Sequence, residues 1–309
     1  MTLVHVILGI GIALLAARSG YPAWTQFRAE RDARDAVRGA EGVRLGMQAF
    51  AVGDGDVALI FVHGFASSPA VFREMAPALG ERGFDCRAIR LPGFGESLDR
   101  MASVSEDDWQ RAVADAVTRA RADGKKVWLV GHSMGGALSI EHVLRHPGMV
   151  EGVVLFAPLI EVSSRRSLGL PPEALHRFAR GVLPRDTILE TAFPVDLHAR
   201  AEGIEELRDR FLPISVYDAM FRVASFISPR AEEVRVPVLM FLPGRDRIVS
   251  VRASREYFDA VGSARKLLVE EKNAGHVLPL DYGWQDAVQR VQEFVRAGGR
   301  EDAREENWL

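Results

Sequence analysis

A single cysteine, Cys86, stands among 309 residues, so no intrachain disulfide can form and no thiolate cluster can hold a metal. It follows Gly83-Phe-Asp85 in a strand-like stretch, where a buried structural thiol is expected rather than a reactive one. Charge of neither sign dominates. The 39 Lys and Arg face 42 Asp and Glu, a formal net charge of -3, which offers no electrostatic footprint for nucleic acid. Internal repeats are absent, which sets aside solenoids and propellers. Long apolar runs are scarce too. Only one, near the N-terminus, approaches the length of a membrane span, and no basic residue precedes it.

That run, Leu3 to Ala17, is apolar apart from His5, and arginines follow it at Arg18, Arg28, Arg31, Arg34 and Arg38. Positive charge after the run favours an uncleaved membrane anchor over residues 1–24 with the rest of the chain in the cytoplasm. A signal peptide, cleaved on export, ranks second because its basic residues belong before the run. A helix packed into the fold ranks third. Residues 25–42 read as a helical linker, 43–297 as one catalytic domain, and 298–309 as a polar tail.

Within that domain, apolar runs alternate with helical patterns. Val43 to Val52 is strand-like, and Val57 to Val62 is continuously apolar, as expected of a strand covered on both faces of a parallel sheet. Ala70 to Arg82 has helical spacing, and Phe84 to Leu91 is the next strand. Ser105 caps a helix with Asp107 and Asp108 in its first turn. Val127 to Val130, Val150 to Ala157, Val236 to Leu242 and Lys266 to Val269 complete the strands, and a helix from Gln285 to Ala297 closes the domain. The expected fold is α/β, a doubly wound and mostly parallel sheet. Between about residues 158 and 235 the alternation breaks. Prolines and helical patterns occupy the stretch without a convincing buried strand, which suits a helical cap laid over a site.

The chemistry gathers where strands end. Gly131-His-Ser133-Met-Gly135 follows Val127–Val130 and precedes a helix expected from about Gly136. A serine between two glycines at such a junction is a nucleophile elbow, although Gly-x-Ser-x-Gly alone is a weak signal. A serine hydroxyl needs a base, and the base an orienting acid. Asp246, in Pro243-Gly-Arg-Asp246, and His276, in Asn273-Ala-Gly-His276, follow the next two strands in the order Ser, acid, His. Asp281 is a lesser alternative for the acid because it follows the histidine. Oxyanion donors are expected from the backbone N–H groups of Met134 and Phe65, the latter after Gly64 in the loop following an early strand. His63 and His132 read as structural, and His142 and His146 as ordinary helix residues.

Together, His63-Gly-Phe65, Pro92-Gly-Phe-Gly-Glu-Ser97, Gly-His-Ser133-Met-Gly-Gly136, Gly-Arg-Asp246 and Gly-His276 resemble the α/β-hydrolase superfamily. More narrowly, Gly83-Phe-Asp-Cys86, Asp107-Asp-Trp109 and Gly275-His-Val-Leu-Pro-Leu-Asp281 resemble its bacterial carboxylesterase and monoacylglycerol lipase branch. The likeness runs from about Val43 to Ala297 and departs from the usual Gly-His-Gly at Gly93-Phe94-Gly95. It implies ester hydrolysis through an acyl-enzyme by Ser133, Asp246 and His276, with no metal or other cofactor. The expected partner is a small acyl ester or lipid of medium or long chain, reached from a membrane surface if residues 3–17 associate with one. The same triad could serve an amide, a thioester or a peroxide acceptor. A non-catalytic binding protein is disfavoured because no triad member is missing. Oligomeric state is not legible.

Overall fold

The computed structural model describes residues 3–167, 169–191 and 194–298, with side chains described for all of these except 3–17 and 166. The chain opens with helix α1 (Leu3–Asp35). The apolar run at 3–17 falls outside the described side chains, and the tail beyond residue 298 lies outside the described residues. Among the described residues no helix is long and apolar enough to cross a membrane.

Alternation then begins with β1 (Phe50–Val52), β2 (Val57–Val62), α2 (Met75–Gly80), β3 (Asp85–Ile89), α3 (Leu98–Ala102), α4 (Glu106–Ala122), β4 (Lys126–His132), α5 (Met134–Arg145) and β5 (Gly152–Phe156). An insertion follows, carrying α6 (Pro172–Val182), β6 (Ile188–Glu190), β7 (Phe211–Pro213) and α7 (Ile214–Ile227). The alternation resumes with β8 (Val238–Pro243), α8 (Val251–Ala260), β9 (Lys266–Glu271) and α9 (Trp284–Arg296).

The main sheet has seven strands in the order β1-β3-β2-β4-β5-β8-β9. All neighbours pair parallel except β1, which runs antiparallel to β3 at one edge. Side chains of the inner strands alternate between two cores. Ala58, Ile60 and Val62 face one with Val127, Leu129, Val153 and Met240, while Leu59 and Phe61 face the other with Trp128, Phe156 and Phe241. Helices α4, α5 and α7 cover the first face and α2 and α9 the second. Covering on both sides is why these strands carry unbroken apolar runs rather than alternating ones. Helix α4 starts where the sequence places it, because Ser105 and Asp108 form a capping box, an arrangement worth about 1 kcal/mol.

Three expected elements come out differently. Of Val43 to Val52 only Phe50–Val52 is strand; Gly46, at φ 83°, turns the chain before it. The helical pattern over 70–82 splits into a 3-10 turn at Pro69–Phe72 and a short α2. Pro77 is tolerated only in a first turn, since farther in it would remove a hydrogen bond and clash with the carbonyl four residues back. The insertion also does hold strands. β6 and β7 pair antiparallel, too short to register as a periodic pattern, and Pro213 ends the ladder.

Candidate active site

β4 runs out at His132, and Ser133 takes φ 55° and ψ -120° before α5 begins at Met134, two residues earlier than the spacing suggests. Left-handed backbone at a non-glycine residue is strained, on the order of 1–3 kcal/mol, and persists only where its surroundings impose it. Both flanking glycines are required by close approach. A Cβ on Gly131 would lie 2.4 Å from the Gly135 carbonyl oxygen, and one on Gly135 only 2.0 Å from that of Val62. Ser133 N–H donates to Phe156 O at 2.9 Å, tying the turn to β5.

β8 and β9 end on the same edge of the sheet and deliver Asp246 and His276. Asp246, 1% exposed, accepts the Ile248 and Val249 N–H groups on Oδ1 at 2.7 and 2.9 Å, which leaves Oδ2 for His276 Nδ1 at 2.8 Å. A carboxylate only accepts, so Nδ1 carries the proton and Nε2 presents its lone pair. Nε2 lies 2.9 Å from Ser133 Oγ. The three side chains thus form one hydrogen-bonded line, all of them buried.

Phe65 stands beside this line. A Cβ on Gly64 would come within 3.0 Å of Ser133 Cβ and 3.2 Å of His132 Nδ1, so only glycine lets the loop lie over the serine. Met134 opens α5, whose first N–H groups have no intrahelical acceptor and sit at the positive end of the helix dipole. Phe94 is buried against Trp109, its ring stacked at 5.6 Å and edge-on to His63 and Phe65.

Residues 54–282 match the family described as serine aminopeptidase, S33. The chain belongs to this family. A thermostable monoacylglycerol lipase of Bacillus sp. (strain H-257) is 24% identical to this S33 chain over 249 residues, 81% of it and 94% of that protein. A carboxylesterase of Bacillus subtilis (strain 168) is 21% identical over 242 residues, 78% and 93% of the two chains. The crystal structure of Paleococcus ferrophilus monoacylglycerol lipase superimposes with a TM-score of 0.69 at 21% identity, covering 82% of this chain and all of that one.

In this S33 chain the insertion between β5 and β8 roofs a cavity of about 420 Å³ over Ser133 and His276. Phe65, Leu159, Ile204, Leu207, Tyr217 and Met220 make most of its wall apolar. Two further carboxylates also hold the site together, of which the sequence does not single out Asp196. Asp196, from the insertion, accepts the Arg247 and His276 N–H groups on Oδ2 at 2.8 and 3.3 Å, while its carbonyl accepts the Val277 N–H. It therefore spans the loops that carry Asp246 and His276. Asp281, weighed above as a second candidate acid, does not hydrogen-bond the His276 ring, whose two nitrogens face Asp246 and Ser133. Its oxygens accept four backbone N–H groups, from Gly275, His198, Ala199 and Tyr282. A lone carboxylate inside an apolar string, such as Pro194-Val-Asp196-Leu197, is the one signal that points to Asp196.

Three histidines are held neutral, chiefly by burial: His63 is pushed down to about 4, His132 to about 3 and His142 to about 4. His63 Nε2 accepts the Leu91 N–H and its Nδ1 donates to Gly64 O, while His132 Nε2 donates to His276 O. Both are thus props of the site loops. Unfolded, each imidazole takes a proton near 6.5; folded, only near 3 or 4. Between those values the unfolded chain binds more protons, so stability falls as pH drops, by about 1.4 kcal/mol per pH unit for each histidine. Burial raises Asp209 to about 6 and raises Glu141 as well, which works in the opposite sense and offsets part of the loss below pH 6. The expected result is a thermal midpoint that declines as pH is lowered from 6.5. His142, neither of whose ring nitrogens has a partner among the described residues, supplies one proton of that slope. His142→Leu should flatten it by that amount, and an unchanged slope would contradict the assignment.

Proposed function

We propose that this chain hydrolyses carboxylic esters through an acyl-enzyme on Ser133. The observation that carries the reading is the Asp246–His276–Ser133 line at the floor of an apolar cavity. Ser133 Oγ attacks the ester carbonyl as His276 Nε2 takes its proton. The carbonyl oxygen becomes an oxyanion that the Phe65 and Met134 amides receive. The intermediate collapses, the C–O bond to the alcohol breaks, and the alcohol leaves with the proton from His276. Water, deprotonated by the same imidazole, then attacks the acyl-enzyme and releases the acid. Asp246 keeps the imidazole in the required tautomer and stabilises its charged form. These steps call for no metal or organic cofactor.

The cavity volume lies in the lower part of the roughly 300–1,000 Å³ range of small-molecule sites. Its apolar wall suits a medium or long acyl chain, and the monoacylglycerol lipases among the relatives make a monoacylglycerol the leading substrate class. Amide cleavage is the second reading, because the family's description names an aminopeptidase. An aminopeptidase must hold a free ammonium group, and the two carboxylates on the cavity wall are engaged elsewhere. Glu190 is paired with Arg28 and Arg210, and Asp196 with the loop amides. A panel of p-nitrophenyl esters, monoacylglycerols and aminoacyl p-nitroanilides separates the two; cleavage of anilides alone would reject the ester reading.

Asp196 is read as a positioning residue. Asp196→Ala should lower kcat by about 10- to 100-fold, the equivalent of roughly 1.5–3 kcal/mol for hydrogen bonds to a charged group. Asp196→Asn, which can keep an acceptor oxygen toward both amides, should restore most of it. Steady-state kinetics on a soluble ester decide, and a wild-type kcat in the alanine variant would remove the role.

Residues 3–17 are read as a membrane anchor with the catalytic domain on the cytoplasmic side, from the arginines that follow the run. Sedimentation with membranes, together with the N-terminal residue of the mature chain, tests this against an exported and cleaved form.

A further inference from the structure

Surface helices normally bury their apolar side and wet their polar one. Helix α6 leaves large apolar side chains outward and turns two polar ones inward. His176 and Arg180 point inward to Asp218 of α7, with Nε2 and Nε at 2.6 and 3.0 Å from its two oxygens, and the His176 ring packs 5.1 Å from Phe221. On the opposite arc Leu175 and Phe178 are 39% and 64% exposed, and Leu170, just before the helix, is 53% exposed. No residue of α6 is buried. Helix α1 passes the C-terminal end of α6, where Arg18 Nη1 donates to Val182 O at 3.2 Å. It too shows bare aromatics, Trp24 at 52% and Phe27 at 60%. On the same two helices Arg31, Arg34 and Arg177 are exposed, as are Glu30, Asp35 and Glu173.

We propose that the outward face of α6, Leu175 and Phe178 with Leu170, docks on a lipid bilayer and that the adjoining aromatics of α1 join it. Aromatic and aliphatic side chains interspersed with arginine match an interfacial helix, whose apolar side enters the headgroup boundary while guanidinium groups stay among the phosphates. A bilayer is favoured over a second copy of this chain because α1 also carries the apolar run 3–17 directly before Arg18. Consequence for substrate follows from α7. The helix that pairs with α6 through Asp218 also supplies Tyr217 and Met220 to the cavity wall, so the docked face lies one helix away from Ser133. That delivery step rests on the ester-hydrolase reading; the docking itself does not.

The test uses the full chain. Cys86 is buried and its thiol is pushed up to about 12, so a cysteine introduced by Leu175→Cys takes an environment-sensitive fluorophore selectively. Asp115→Cys, on the exposed side of α4, is the control position. With vesicles of phosphatidylglycerol and phosphatidylcholine in equal parts, emission at 175 should move to the blue and be quenched by spin-labelled lipid, while emission at 115 stays unchanged. Protein that sediments with vesicles while position 175 still reports water would overturn the proposal, since the N-terminal segment alone would then hold it. A blue shift that grows with protein concentration without lipid would overturn it in favour of self-association. Replacing both Leu175 and Phe178 by serine should lower hydrolysis of vesicle-borne monoacylglycerol severalfold and leave p-nitrophenyl acetate hydrolysis as it was. If the native chain hydrolyses neither ester, the reading of Ser133 fails while the fluorescence result still judges docking.

Discussion

Ser133→Ala is expected to abolish ester turnover, with kcat down on the order of 10⁵- to 10⁶-fold, while the protein stays folded. Among the described residues Ser133 Oγ hydrogen-bonds only His276 Nε2, so removing it leaves no other side chain stranded. Alanine keeps the Cβ that a φ of 55° already accommodates, and the elbow holds its shape through the Ser133 and Leu159 backbone bonds. Thermal unfolding should therefore match the parent within a degree or two. Ser133→Gly provides the internal comparison. Glycine relieves the left-handed strain, so that variant should be as inactive as the alanine one and no less stable. Kinetics on p-nitrophenyl butyrate and a fluorophosphonate label followed to its attachment site measure the first part. Label retained elsewhere, with activity intact, would move the nucleophile off Ser133.

What is legible in the sequence is whatever one strand end can express by itself. β2 reads directly as Val57 to Val62 because both of its faces are covered and no polar side chain interrupts it. Ser133 and Asp246 each follow such a run, His276 follows the half-exposed edge strand β9, and parallel pairing of β4, β5, β8 and β9 brings those ends to one edge. The insertion is far less readable. β6 and β7 contribute three residues each, below the length at which period two stands out. Asp196 looks like an ordinary loop acid and Asp281 like a second candidate for the triad, because the partners that define them are backbone amides 51 to 83 residues away or in the adjacent turn. Close approach is equally hidden. Gly275 looks like any glycine before a histidine until its missing Cβ is seen to sit 2.7 Å from the Asp196 carbonyl.

Asp246→Asn separates the two carboxylates that sequence order alone ranks. Its amide oxygen can still accept the Ile248 and Val249 N–H groups where Oδ1 does now, which turns the NH₂ toward His276 Nδ1. An NH₂ donates, so Nδ1 must accept and the proton moves to Nε2, which then faces Ser133 with a hydrogen instead of a lone pair. The base is lost without disturbing the fold. The expected cost is about 10⁴-fold in kcat, the scale set by loss of the tautomer-fixing acid in other triads, with an unfolding midpoint close to the parent's. Asp281→Asn should behave in the opposite way. Two of its four amide donors lose an acceptor and meet an NH₂ instead, and each unsatisfied buried group costs about 1–3 kcal/mol. The midpoint should drop by several degrees while kcat, measured well below that midpoint, stays within about tenfold of the parent, because the His276 ring keeps Asp246. Full activity in Asp246→Asn together with a collapse of kcat in folded Asp281→Asn would exchange their roles.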